Sequence, residues 1–295
     1  MWLFMLMIPA AIAVAWVVGR GMIATSPRAD LDQHAQVALQ AARRRMIGAA
    51  TVALVLAIVL LLVAIAIGPG WIALVPGLAV GGGLLVYATW PGRDGSVGPQ
   101  RAASLEPRAP RDSVTRRSIV WWGTAAVISI AAALGVLFVE FEDGVLGRAP
   151  DLRHVPGFVG TSPGWHLTLP LVGVTCVLAA VTWFALRRVT EIPALPGIGL
   201  AEQDRRWRSE SAEIIVQLSA GALLVQCAAT VAVVVYAVFG ERMHAAPGGS
   251  DFFFLYAMVV LVIAVVAFIV FGSALSRAAG LPRHAMAVPE REPAQ

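Results

Sequence analysis

The 295-residue chain has no lysine; all 22 of its basic residues are arginine. Without lysine there is no Schiff-base amine, so a retinal-binding membrane protein is excluded, and pyridoxal and phosphate-loop chemistry lose their amine too. Charge of either sign is scarce, at 14% of residues, where soluble domains carry about a quarter. It is also segregated. Seven windows (2–18, 47–67, 71–90, 118–139, 167–186, 214–239 and 252–275) contain no Asp, Glu or Arg. Cysteine is limited to Cys176 and Cys227, which excludes a disulfide-stapled secreted scaffold. A hydrophobic content of 58% excludes a disordered chain, and with the segregated charge it excludes a soluble enzyme. Arginine without lysine, beside abundant Ala, Val, Gly and Pro, reads as the product of a GC-rich, bacterial genome.

A bilayer core of ~30 Å needs about 20 apolar residues in a helix, and each window is long enough. In lipid the backbone must satisfy its own hydrogen bonds, which only helices and closed barrels do. The windows show no period-two alternation, so the sequence predicts an all-α, polytopic membrane helix bundle with seven transmembrane helices. Arginine sets the orientation. The segments 19–46, 91–117, 187–213 and 276–295 hold 19 arginines, whereas 68–70, 140–166 and 240–251 hold 3. Positive residues stay in the cytoplasm, so we expect the N-terminus out and the C-terminus in, with the plasma membrane as the location. The net charge of +4 is then a topology signal, and no nucleic-acid partner is needed; the partner it does imply is the lipid bilayer. The first window has no charge before it and Arg20 after it, which is the pattern of a retained anchor, although Ala13-Val14-Ala15 imitates a cleavage site. Tryptophan agrees: Trp2, Trp16, Trp71, Trp90, Trp121, Trp122, Trp165 and Trp183 fall near window ends, where an indole sits at headgroup level. Trp207 lies apart, in a polar stretch.

The connections differ in character. The stretch 29–46 opens with acids near a helix start and continues without a breaker into the second window, so it reads as a cytoplasmic helical arm. A similar lead-in, 201–213, precedes the sixth window. The segment 91–117 is rich in Pro, Gly, Ser and Arg and reads as a cytoplasmic linker, and 276–295 as a disordered tail. One pattern recurs: Pro69-Gly70-Trp71 with Pro76, and Pro163-Gly164-Trp165 with Pro170, at identical spacing, while Pro247-Gly248 precedes Phe252 in a third, incomplete copy. Each copy sits at an outer turn. The bundle is therefore expected to be one helix plus three like-oriented helical hairpins, related by descent or by the shared needs of an outer turn.

Gly77 and Gly81 form a GxxxG step extended by Gly82 and Gly83. Such a face lets another backbone approach closely, either within the chain or in a homo-oligomer or partner complex. No ionisable residue lies at depth, so carboxylate-mediated proton pumping is disfavoured and a voltage sensor is excluded. Thr124, Ser129, Thr175, Thr182, Gln217, Ser219, Gln226 and Thr230 remain as weak polar groups, read as interhelical glue or as the lining of a solute path. Cys176 and Cys227 lie at equal depth and read as apolar packing. His154, His166 and His244 share the outer face with Asp151, Asp251 and Glu241, and they alone have metal-ligand character; solvated loop residues are the simpler reading, so no metal and no cofactor is assigned. Arg116-Arg117, Arg187-Arg188 and Arg205-Arg206 could meet anionic lipid, although topogenic charge accounts for them. HExxH, GxSxG and paired intramembrane aspartates are all missing, so no catalytic residue is assigned. The expected function is that of an accessory or regulatory membrane subunit acting by association. The alternative is a transporter or channel for a small or amphipathic solute, and third comes a membrane enzyme with an outer-surface site.

Overall fold

The computed structural model describes residues 33–90, 114–138, 140–142, 161–191 and 201–239. The first and seventh windows, most of the 91–117 linker, the tail, and His154 and His244 lie outside the described residues. Within them the chain is almost entirely helical. Helix α1 (Gln33–Ile67) is followed by a 3-10 helix, Pro69–Leu74, and then α2 (Val75–Thr89). Helix α3 (Arg116–Gly135) tightens into a 3-10 turn, Val136–Phe138. Helices α4 (Trp165–Glu191) and α5 (Ala201–Phe239) complete the set. Five of these stretches are long and apolar enough to cross a membrane: Arg44–Ile67, Gly70–Thr89, Arg116–Phe138, Trp165–Glu191 and Asp204–Val235. They overlap five of the seven charge-free windows.

An all-α reading needs one amendment. Between α3 and α4 the strands β1 (Glu140–Glu142) and β2 (Thr161–Pro163) pair antiparallel, Glu140 opposite Pro163 and Glu142 opposite Thr161. The pair joins the two ends of the long 140–166 connection where it leaves the bundle. Pairing satisfies backbone groups that would otherwise have no partner beside the helices.

Local chemistry explains the helix ends. The Thr115 hydroxyl accepts the Ser118 amide at the start of α3, a hydroxyl N-cap. At the start of α4 the Gly164 carbonyl accepts from both Leu167 and Thr168 amides. The two Pro-Gly-Trp copies, identical in spacing, take different backbone forms. Pro69 opens a 3-10 helix and Pro76 stands in the first turn of α2, where its missing N–H leaves no bond unmade. Pro163 ends a strand, and Pro170 lies inside α4, where one backbone donor is lost.

Helix α2 is the hub. It packs against α1 on one side and against α4 and α5 on the other, while α3 packs on α5 and α4. The core falls into two main clusters. One lies toward the arginine-rich helix ends and includes Met46, Leu84, Tyr87, Leu178, Val189, Trp207, Ile214 and Leu223. The other lies toward the strand pair and includes Ala73, Leu74, Val136, Leu167 and Leu171. The outward side of α1 is left apolar, with Val55, Ile58, Val59 and Leu62 exposed.

Candidate functional site

Along α4, Thr168, Thr175 and Thr182 repeat every seven residues, and all three are buried. Each hydroxyl reaches the carbonyl four residues back: Gly164 at 3.1 Å, Leu171 at 2.9 Å and Leu178 at 2.6 Å. Each also meets another helix. Thr168 Oγ1 lies 2.9 Å from the Ala133 carbonyl of α3. Thr175 Oγ1 accepts from Gln226 Nε2 of α5 at 3.0 Å, and the same amide lies 3.2 Å from the Leu171 carbonyl. Thr182 and Ser219 hydroxyls lie 2.9 Å apart, and Trp122 Nε1 of α3 donates to Ser219 at 2.9 Å. Ser219 Oγ thus accepts from both the Trp122 indole and the Thr182 hydroxyl, and the single Thr182 proton is shared between Ser219 and the Leu178 carbonyl. Ser219 and Gln226 are also seven residues apart, so α4 and α5 meet in antiparallel heptad register. A seven-residue repeat of contacts is the signature of left-handed helix packing.

Two acceptors and donors escape this pairing. Gln226 is fully buried, yet its Oε1 has no hydrogen-bond partner, and Ser129 Oγ is likewise unsatisfied. For Gln226 the neighbour is Gly77: a β-carbon on Gly77 would stand 2.6 Å from Oε1 and would also clash with Val174. The carbonyl oxygen thus lies against the glycine backbone, an approach compatible with a weak Cα–H···O contact. Gly83 makes the equivalent approach on the other side of α2, where a β-carbon would stand 2.6 Å from the Ala49 carbonyl of α1. The small-residue face is therefore occupied inside the chain. Gly81 is looser, with Leu178 the nearest side chain at 3.8 Å.

At the arginine-rich end, Arg208 of α5 is 6% exposed. Its Nε donates to Asp204 at 2.8 Å and its Nη1 to the Val189 and Thr190 carbonyls at 2.8 and 3.3 Å. A cation on the last carbonyls of α4 satisfies orphan acceptors at the negative end of the helix dipole. Trp207, next to it, is buried in the same cluster as Met46, Tyr87 and Val189, and its Nε1 has no hydrogen-bond partner. Arg45, Arg188 and Arg208, from three different helices, all lie within electrostatic reach of the Tyr87 hydroxyl. Arg188 Nε is also buried without a hydrogen-bond partner.

The structure separates the remaining candidates. Cys176 is exposed, Cys227 is buried, and both are free thiols; the residues that face each other are their neighbours Thr175 and Gln226. Thr124 is exposed and bonds back to Val120 within α3. Gln217 Oε1 is buried and unpartnered, and Thr230 bonds the Gln226 carbonyl at 2.8 Å. His166 stacks on Trp165 with ring centroids 3.8 Å apart. No three metal-ligating side chains gather among the described residues; His154 and His244 lie outside them. Sequence reasoning set Trp207 aside as a residue of a polar stretch. The Asp204-to-Arg208 spacing, one helical turn of opposite charge, was the available sign that this stretch packs. No family model matches the chain, and neither does any characterised protein or solved structure.

Proposed function

We propose that the protein is an accessory or regulatory subunit of a bacterial plasma membrane, working by association with another membrane protein or with further copies of itself. The observation that carries this reading is that, among the described residues, most buried polar side chains at mid-depth are paired, with Gln226 Oε1, Ser129 Oγ and Gln217 Oε1 the exceptions. At mid-depth Thr175, Thr182, Ser219, Gln226 and Thr230 direct their hydrogen bonds to one another or to backbone carbonyls. The surrounding volume is filled by Leu171, Leu178, Leu223 and their apolar neighbours. A transporter needs such groups turned toward a solute path, so their pairing supports association over transport. Gly77 is not offered as the association face, because it meets Val174 and Gln226 within the chain. In this reading seven spans cross the membrane, N-terminus out and C-terminus in, as one helix and three related hairpins. The polar N-terminal stretches of α1, up to Arg45, and of α5, up to Glu213, stand in the cytoplasm as arms for a partner.

Extraction from native membranes in mild detergent, followed by native mass spectrometry, tests the proposal. The expected species is one assembly of fixed stoichiometry, heavier than the chain itself. A clean monomer across several mild detergents overturns it.

A further inference from the structure

We infer that the arginine-rich end of the bundle holds a phosphate-bearing anion, seated among Arg45 of α1, Arg188 of α4 and Arg208 of α5, beside Tyr87 and Trp207. The ledger of partners points there. Arg187 is paired with Glu191, and Arg208 with Asp204. Arg205, Arg206, Glu210 and Glu213 have partners of their own. Among the described residues no carboxylate pairs with Arg45 or Arg188. Arg188 Nε is nevertheless removed from water with nothing to donate to, and so is the indole N–H of Trp207, itself only 4% exposed. A buried charged donor without an acceptor is costly, and such groups commonly mark an unfilled ion or ligand position.

The geometry narrows the ligand. Arg45, Arg188 and Arg208 each lie within electrostatic reach of the Tyr87 hydroxyl, and Tyr87 shares one buried cluster with Trp207. The arginine-rich ends of four helices therefore bring guanidinium groups, a phenol and an indole into one neighbourhood. This donor set has hydrogens and positive charge in excess, with Asp204 already engaged by Arg208. Guanidinium forks match the oxygen spacing of phosphate, which offers several acceptors to converging donors. A carboxylate would satisfy fewer of them. At the end of a membrane-spanning bundle such a phosphate comes either from an anionic lipid headgroup or from a soluble phosphate compound, and both are read by the same groups.

The test uses the full chain in nanodiscs of phosphatidylglycerol or phosphatidylcholine, with inorganic phosphate as the soluble probe. Native mass spectrometry and thermal unfolding provide the readouts. Retention of phosphatidylglycerol over phosphatidylcholine is expected, with about a fivefold loss for Arg188→Gln or Arg45→Gln, the weight of one guanidinium at a lipid phosphate. Arg187→Gln, exposed and paired with Glu191, is expected to change nothing. Arg188→Lys, which keeps the charge and removes the fork, and Trp207→Phe, which keeps the ring and removes the donor, supply intermediate losses should the glutamine variants unfold. Stabilisation by inorganic phosphate that disappears in Arg188→Gln assigns the site to a soluble ligand and upholds the inference. Equal behaviour of the two lipids without any phosphate effect overturns it. So does an Arg187→Gln loss as large as that of Arg188→Gln, which marks diffuse surface charge.

Discussion

Gln226 Oε1 stands 2.6 Å from the point a β-carbon on Gly77 would occupy. The absence of a side chain on α2 and the presence of an amide on α5 are thus one feature. The amide needs room to turn its nitrogen toward Thr175 and Leu171, and only a glycine provides it at that depth. Val174, stiff at χ1, closes the same spot from α4.

Gly77→Ala is therefore expected to lower stability by about 1–3 kcal/mol, the usual range for overpacking a filled core. Gly81→Ala is expected to be neutral or stabilising by up to ~1 kcal/mol, because its new methyl meets Leu178 at ordinary contact distance and alanine favours the helix. Thermal unfolding of the two variants in one detergent checks the contrast. Equal losses at both positions would contradict the packing described.

Thr175→Val keeps the shape of the side chain and removes the acceptor of one Gln226 N–H. Interhelical hydrogen bonds in membranes average ~0.6 kcal/mol and reach about 1.7. Gln226 retains the Leu171 carbonyl, so a loss below ~2 kcal/mol is expected from unfolding measurements. A much larger loss would mean that this pair is not acting as simple interhelical glue.

The positions of α1 to α5 were legible in the sequence, and their contacts were not, for one physical reason. A charge-free run reports that the backbone must bond internally, and the five runs that overlap α1 to α5 did so. The same uniform hydrophobicity erases the polar and apolar faces that would show which side of each helix packs. Gly77, Gly81, Gly82 and Gly83 looked like one face, yet they divide between α1 on one side and α4 and α5 on the other. Cys176 and Cys227 drew attention by matching depth, while the contact belonged to Thr175 and Gln226 beside them. The heptad spacing of Thr168, Thr175 and Thr182 against Ser219 and Gln226 was visible and carried the register. Trp207 was hidden by its charged neighbours, whose pairing across one helical turn is what allows the indole to be buried.

The two ion pairs at the arginine-rich end should respond differently to deletion. Asp204 and Arg208 side chains are 8% and 7% exposed, whereas Glu191 and Arg187 are 46% and 62% exposed. Removing one partner of a buried pair leaves an uncompensated charge, at about 3–5 kcal/mol, partly offset here by the Val189 and Thr190 carbonyls. Asp204→Ala is expected to approach the lower end of that range and to be insensitive to salt. Glu191→Ala is expected to cost under ~1 kcal/mol, less at high salt. Unfolding at low and high ionic strength separates them, and equal costs would show that the Asp204 pair is solvated.

The antiparallel register of α4 and α5 makes a geometric prediction. Thr182 and Ser219 hydroxyl oxygens lie 2.9 Å apart, which places their β-carbons near the separation a disulfide spans. In a chain with Cys176 and Cys227 replaced by alanine, Thr182→Cys with Ser219→Cys is expected to oxidise to an intramolecular crosslink. After protease cleavage between the helices, the fragments should stay joined until reduced. The natural pair is expected to give no such crosslink, since Cys176 points outward and Cys227 inward. A slip of one residue along either helix would rotate the partner by about 100° at 3.6 residues per turn and abolish the engineered bond. Failure of the engineered bond to form, or formation of a Cys176–Cys227 disulfide in the natural chain, would therefore overturn the register and, with it, the pairing of Thr175 with Gln226.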